Sequence, residues 1–170
     1  IEFKKGDYKH QEHAYKSWMF NGYKGILEMC TGSGKTITAL VGLTYLYSSQ
    51  RPLFVLISVP FLPLLKQWGQ TVNEFGVKPY IFDGSISKSK KKKLLEKIIR
   101  DLNFNVSDIE IAICTIDFTC DIEVNQLLSN CKFKKVLIAD EVHNFGTNRF
   151  LSNLPEYYDY RLGLSATPVR

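Results

Sequence analysis

The chain has 170 residues, 45% of them hydrophobic and 23% charged, and a formal net charge of +5. That balance excludes wholesale disorder, suffices for one domain with its own core, and admits a polyanionic partner without requiring one. No apolar run reaches the length of a membrane span, since the longest, residues 53–65, is broken by Pro60 and Pro63, and no signal peptide opens the chain. The cysteines at 30, 114, 120 and 131 have no C-x-x-C spacing and only three histidines accompany them. Reduced thiols in a cytoplasmic protein are therefore expected in place of a zinc site. The chain begins at Ile1, not Met, and reads as a fragment of a longer protein.

In chain order, the patterning predicts a helix over 11–21, a strand over 25–29, a helix over 35–49, a strand over 53–59 and a helix over 62–75. A strand over 79–82, a helix over 90–102, a strand over 109–115 and a helix over 123–129 follow, with final strands over 136–139 and 161–165. Several of these strands are near-continuous in Ile, Val and Leu, as strands buried on both faces of a parallel sheet must be. Alternating strand and helix implies right-handed crossovers and an α/β domain of three layers, with a mostly parallel sheet and helices on both faces. Ligands in such sheets bind at the carboxyl ends of the strands. There are no internal repeats.

Two motifs fall at those ends. The strand over 25–29 runs into Cys30-Thr31-Gly32-Ser33-Gly34-Lys35-Thr36, a phosphate loop with Met29 where the first glycine is usual. Gly32 and Gly34 permit the backbone to wrap its amides round phosphate oxygens, and the following helix aims its positive end at the same anion. Lys35 can reach the β- and γ-phosphates of ATP, and the Thr36 hydroxyl can hold Mg²⁺. The strand over 136–139 ends in Asp140-Glu141-Val142-His143. Asp140 is placed to bind the hydrated Mg²⁺ and Glu141 to polarise the attacking water. A solvated strand end would also show adjacent acids, and a glycine-rich turn before a helix is common; the two motifs in one chain argue against both bland readings. His143, two residues past the acidic pair, is read as a coupling residue.

Taken together these residues resemble helicase superfamily two. Asp140-Glu141-Val142-His143 looks like its D-E-x-H box, with Val142 where Ala or Cys is commoner, and Leu164-Ser165-Ala166-Thr167-Pro168 looks like its Ser-Ala-Thr motif. The stretch from Val59-Pro60 to Gln67-Trp68 looks like motif Ia, and Tyr8-Lys9-His10-Gln11 resembles the Q-motif, without the usual neighbouring arginine. The ordered set spans Gln11 to Thr167 and is closest in flavour to the bacterial type III restriction and XPB-like branch.

The resemblance implies a RecA-like phosphate-loop NTPase domain over 1–170, the first half of an ATP-dependent helicase or translocase. It implies a second RecA-like domain in the same full-length chain, ATP and Mg²⁺ as cofactors, and nucleic acid as partner, duplex DNA ahead of RNA, in restriction or repair. Gln11 would read adenine, Thr31 and Ser33 would join the phosphate loop, and Ser165, Ala166 and Thr167 would couple hydrolysis to strand movement. Pro60, Phe61, Gly84, Ser85 and Thr115 are the expected contacts to the nucleic-acid backbone.

Other readings remain open at this point. The run from Lys88 to Lys93, five lysines and one serine, is either a solvated helix start or a phosphate patch. Phe145, Phe150, Tyr157, Tyr158 and Tyr160 read as core rather than as base-stacking platforms. The competing functions are an RNA helicase, a generic phosphate-loop ATPase or kinase, and a regulatory nucleotide-binding module without motor activity.

Overall fold

The computed structural model describes residues 9–30, 32–142 and 155–166. In chain order its elements are α1 (Lys9–Phe20), β1 (Lys24–Met29), α2 (Lys35–Ser49), β2 (Leu53–Val59), α3 (Leu62–Glu74) and β3 (Tyr80–Phe82). They continue as α4 (Lys88–Asn103), β4 (Ile109–Thr115), α5 (Ile116–Thr119), α6 (Ile122–Ser129), β5 (Lys134–Ala139) and β6 (Tyr160–Ala166). The six strands form one sheet in the order β1-β6-β5-β2-β4-β3. Every pairing is parallel, so the expectation of a mostly parallel sheet is met without an antiparallel edge.

The central strand β2 shows why the domain has three layers. All seven of its residues are buried, and successive side chains leave opposite faces. Leu53, Val55, Ile57 and Val59 pack with Trp18 of α1, Leu40 and Leu46 of α2, and Leu65 and Trp68 of α3. Phe54 and Leu56 face the other way, into Leu95, Ile98 and Leu102 of α4 and Val124 and Leu128 of α6. A strand with water on neither face is apolar except where a polar side chain finds a buried partner, as Ser58 does in Thr119, which is why the alternation expected of an exposed sheet is missing from its sequence. Tyr158 lies in the second of these cores, with Tyr157 packed against it, and Tyr160 packs against the first; Phe145 and Phe150 lie outside the described residues.

Several boundaries differ from the sequence reading, each for a local reason. Helix α4 begins at Lys88, two residues early, because Ser87 caps it by accepting from the Lys90 N–H. The lysine run is thus a helix start: Lys88 pairs with Asp121 and Glu123, and Lys92 with Glu123. Strand β5 begins at Lys134 although both of its first residues are lysines. Lys135 is buried there, and its Nζ donates to the carbonyls of Cys131 and Phe133, at 2.8 and 2.9 Å. Helix α5, four residues long, was not anticipated from sequence.

Candidate nucleotide site

Strand β1 delivers the chain into the phosphate loop at its carboxyl end, and α2 leaves it at Lys35. Both glycines of the loop take left-handed backbone, Gly32 at φ +78° and Gly34 at φ +83°, a region closed to most side chains. Gly34 is also the N-cap residue of α2. The loop closes on itself through Ser33, whose N–H and hydroxyl both donate to the Cys30 carbonyl. Lys35 Nζ donates to the Met29 carbonyl at 3.2 Å, which holds the ammonium over the strand end. Thr36 follows in the first turn of the helix.

Helix α1 lies against this loop. Gln11, buried, donates from Nε2 to the Ser33 carbonyl at 3.2 Å, and His10 Nε2 lies at the same distance from the same oxygen. A methyl group on Gly34 would come within 2.5 Å of Gln11 Nε2. The Q-motif and the phosphate loop, 23 residues apart by the Gly34 to Gln11 numbering, are therefore packed in contact.

The acidic pair follows β5. Asp140 is only 7% exposed. Its N–H donates to the Ser58 carbonyl of β2, its Oδ1 accepts from the Glu141 N–H at 2.9 Å, and its Oδ2 accepts from the indole N–H of Trp68 at 2.7 Å. Burial pushes the carboxyl above its ordinary pKa and the Glu141 charge adds to this, while the Trp68 hydrogen bond and the Lys35 charge oppose it. That Lys35 acts on Asp140 at all ties the two motifs into one electrostatic neighbourhood. Glu141 has φ +49°, a left-handed turn by a non-glycine residue of the sort that concentrates at functional sites.

Strand β6 runs between β1 and β5. Its Ser165 and Ala166 are in register with Glu28 and Met29 of β1, and its Gly163 with Ala139 of β5. Ser165 and Ala166 thus enter between the phosphate-loop strand and the acidic strand. Thr31, His143 and Thr167 lie outside the described residues.

Pro60 and Gly84 follow β2 and β3, Thr115 ends β4, and all three line one cavity of about 800 Å³, together with Lys88 and Lys91 and an apolar floor that includes Leu95 and Phe118. Gly84 and Ser85 also line an adjoining hollow of about 650 Å³. Ser85 donates both its N–H and its hydroxyl to Asp83 Oδ1, and Phe61 is 57% exposed at the N-cap of α3. The sequence points to no role for Ser58 or Thr119, and includes Trp68 only as the last residue of the motif Ia stretch, with no link to Asp140. Trp68 reads as one more apolar position on the buried stripe Leu65, Trp68, Gly69, Val72 of α3. Thr119 donates to Ser58 Oγ at 2.7 Å in the interior, in an element the sequence did not announce.

Comparison with known proteins agrees with this arrangement. The chain is 34% identical over 149 residues to the "Putative helicase 109L" of Invertebrate iridescent virus 3, covering 85% of this chain and 39% of that protein. Among solved structures it is similar to a nuclease-deletion mutant of the Type ISP restriction-modification enzyme LlaGI in complex with a DNA substrate mimic, with a TM-score of 0.69, 23% identity, and coverage of 94% of this chain and 17% of that one. It is also similar to the Sulfolobus solfataricus SWI2/SNF2 ATPase core in complex with dsDNA, with a TM-score of 0.65, 18% identity, and coverage of 99% and 33%. The chain thus spans less than half the length of each. Residues 4–170 match the family described as Type III restriction enzyme, res subunit, and the chain belongs to that family, as a RecA-like domain of a superfamily-two helicase.

Proposed function

We propose that this chain is the ATP-binding half of an ATP-dependent motor that moves on nucleic acid, duplex DNA ahead of RNA, in restriction or repair within the cytoplasm. The observation that carries the reading is the placement of β6 between the phosphate-loop strand and the acidic strand. Ser165 and Ala166 end that strand beside the phosphate-loop strand, where a motif that couples hydrolysis to movement would sense the nucleotide.

The residues fit Mg²⁺-ATP. The described residues hold no cluster of three or more His, Cys, Asp or Glu arranged for a metal. One carboxylate, Asp140, and one hydroxyl, Thr36, are what Mg²⁺ needs when phosphate oxygens and water complete its shell. Bound there, Mg²⁺ would neutralise charge on the β- and γ-phosphates. The amides of Thr31 to Gly34 would cradle the phosphates, with Lys35 on the β- and γ-oxygens. Glu141 would polarise the attacking water, and Gln11, held at the loop by Ser33, would read the adenine edge. His143, Ser165, Ala166 and Thr167 would pass the state of the nucleotide to the nucleic-acid side, where Pro60, Phe61, Gly84, Ser85 and Thr115 face the phosphate backbone. Contacts of that kind bind without reading sequence.

In motors of this family ATP lies between two RecA-like domains, and the second supplies the arginines that stabilise the transition state. A second RecA-like domain of the full-length protein is therefore the proposed partner. The 170-residue chain should bind ATP weakly in a Mg²⁺-dependent manner, lose that binding on Lys35→Ala, and turn over slowly whether or not duplex DNA is present. Brisk DNA-stimulated hydrolysis by this chain would refute the division of labour. Full Mg²⁺-ATP binding by the Lys35→Ala protein would refute the site. The likeness of the fold to neighbours solved with DNA favours DNA; a full-length protein whose ATPase responds to duplex RNA and not to duplex DNA would reverse that choice.

A further inference from the structure

We propose that Trp68 is a positioning residue for the metal-binding carboxylate: its indole N–H holds Asp140 in the orientation that receives Mg²⁺. This rests on the nucleotide reading above. The bond is short, 2.7 Å from Nε1 to Oδ2, and both groups are buried, Trp68 at 1% and Asp140 at 7% exposure. A buried indole N–H needs an acceptor, but a neutral one serves. Trp18, the chain's other tryptophan, uses the Arg161 carbonyl at 2.9 Å. Placing a carboxylate in the interior costs more than placing a carbonyl there, so packing alone gives no reason for the pairing at Trp68.

The geometry gives the reason. The terminal torsion of an aspartate is broad and roughly two-fold, so a carboxylate with one anchor can rotate. Asp140 has two, one on each oxygen: the Glu141 N–H on Oδ1 and the Trp68 N–H on Oδ2. An ionised carboxylate has about four acceptor sites, so roughly two are left for the hydrated metal. The backbone beneath is fixed as well. The Asp140 N–H donates to the Ser58 carbonyl, and Ser58 Oγ accepts from Thr119 on α5. Helix α3, which carries Trp68, starts directly after Pro60 and Phe61. The helix that sets the metal ligand is thus the helix that begins at the proposed nucleic-acid contact.

Two tryptophans give two indole N–H resonances, and the test uses them on the whole chain, with ATP binding followed through a fluorescent ribose-labelled ATP. On addition of Mg²⁺ to the ATP-bound chain the Trp68 resonance shifts and the Trp18 resonance does not, whereas ATP in EDTA moves neither. Trp68→Phe retains an apolar ring and removes the N–H. It should raise the Mg²⁺ concentration at half-saturation by about tenfold, the lower end of what is lost when a metal ligand loses its hydrogen-bond partner, and leave ATP binding in EDTA unchanged. A purely structural role would weaken both kinds of binding together, or neither. A folded Trp68→Phe protein with wild-type Mg²⁺ dependence overturns the proposal while leaving the nucleotide site standing. If the variant does not fold, the wild-type resonance decides, assigned by its nuclear Overhauser contacts: a Trp68 signal indifferent to Mg²⁺ overturns the proposal. A wild-type chain with no Mg²⁺-dependent ATP binding overturns both this inference and the function it rests on.

Discussion

Substituting Gly34 with alanine tests the packing of the Q-motif on the phosphate loop, and its cost can be worked from the structure. Gly34 sits at φ +83°, where a Cβ costs roughly 1–2 kcal/mol. The added methyl would also lie within 2.5 Å of Gln11 Nε2. That atom ends a flexible side chain, so Gln11 can swing aside, but in doing so it gives up its bond to the Ser33 carbonyl, worth about 0.5–1.5 kcal/mol. The expected loss is about 2–3 kcal/mol, a fall in Tm of roughly 4–12 °C for a chain of this length. Gly32 supplies the control: at φ +78° its Cβ meets nothing within 4 Å, so Gly32→Ala carries only the backbone cost. In a Gln11→Ala background the side-chain conflict is gone, and Gly34→Ala should also cost only the backbone share. Urea denaturation of the wild type, both single variants and the double variant closes the cycle, with an expected coupling of about 1 kcal/mol. Additivity to within about 0.3 kcal/mol, or a Gly32→Ala protein as unstable as Gly34→Ala, would refute the proposed contact between the motifs.

Three further outcomes follow from the interior of the site. Because burial raises the Asp140 pKa in the folded chain above its unfolded value, the folded state holds the proton more tightly, and the associated stability is lost as pH rises through the window above the unfolded value of about 3.9. The stability of the wild type relative to Asp140→Asn, measured without nucleotide, should therefore fall as pH is raised through that window; a difference that is flat in pH contradicts the burial. Ser58→Ala should cost about 0.5–1.5 kcal/mol, because the buried Thr119 hydroxyl loses its Ser58 acceptor and keeps only the weaker Cys114 Sγ at 3.3 Å, and Ser58→Ala with Thr119→Val should cost less than the two singles combined, as read by denaturant titration. Cys30, exposed beside the loop, should react with a maleimide in the native chain and be slowed by Mg²⁺-ATP. Cys114, buried and with its thiol pushed up to about 12 by that burial, should react only on unfolding; equal labelling of the two would count against the fold.

What the sequence made legible is what depends on local pattern. The phosphate loop and the acidic pair are contiguous runs whose chemistry is set by residue type at short spacing, and each falls directly after a strand: the acidic pair after β5, buried from Lys135 to Ala139, and the phosphate loop after the edge strand β1, of which Leu27 and Met29 are buried. The pattern starts β5 at Val136, two residues late, because a lysine counts as polar in any pattern, whereas Lys135 is buried and its ammonium is satisfied by two carbonyls. Helix α5 is four residues long, too short for a 3.6-residue period to declare itself.

Trp68 shows the deeper limit. Its indole body obeys the helical stripe of α3 and so is indistinguishable in sequence from a core residue, while its one polar atom reaches a carboxylate 72 residues away. Periodicity reports which face of a helix is buried, not what waits opposite a single N–H on that face. That pairing is set by the sheet order, which brings β5 directly beside β2 and hence Asp140 under the helix that follows β2. Side chains that are part apolar and part polar are where pattern and contact separate, and in a domain of this kind they are the residues best placed to join the core to the chemistry at the strand ends.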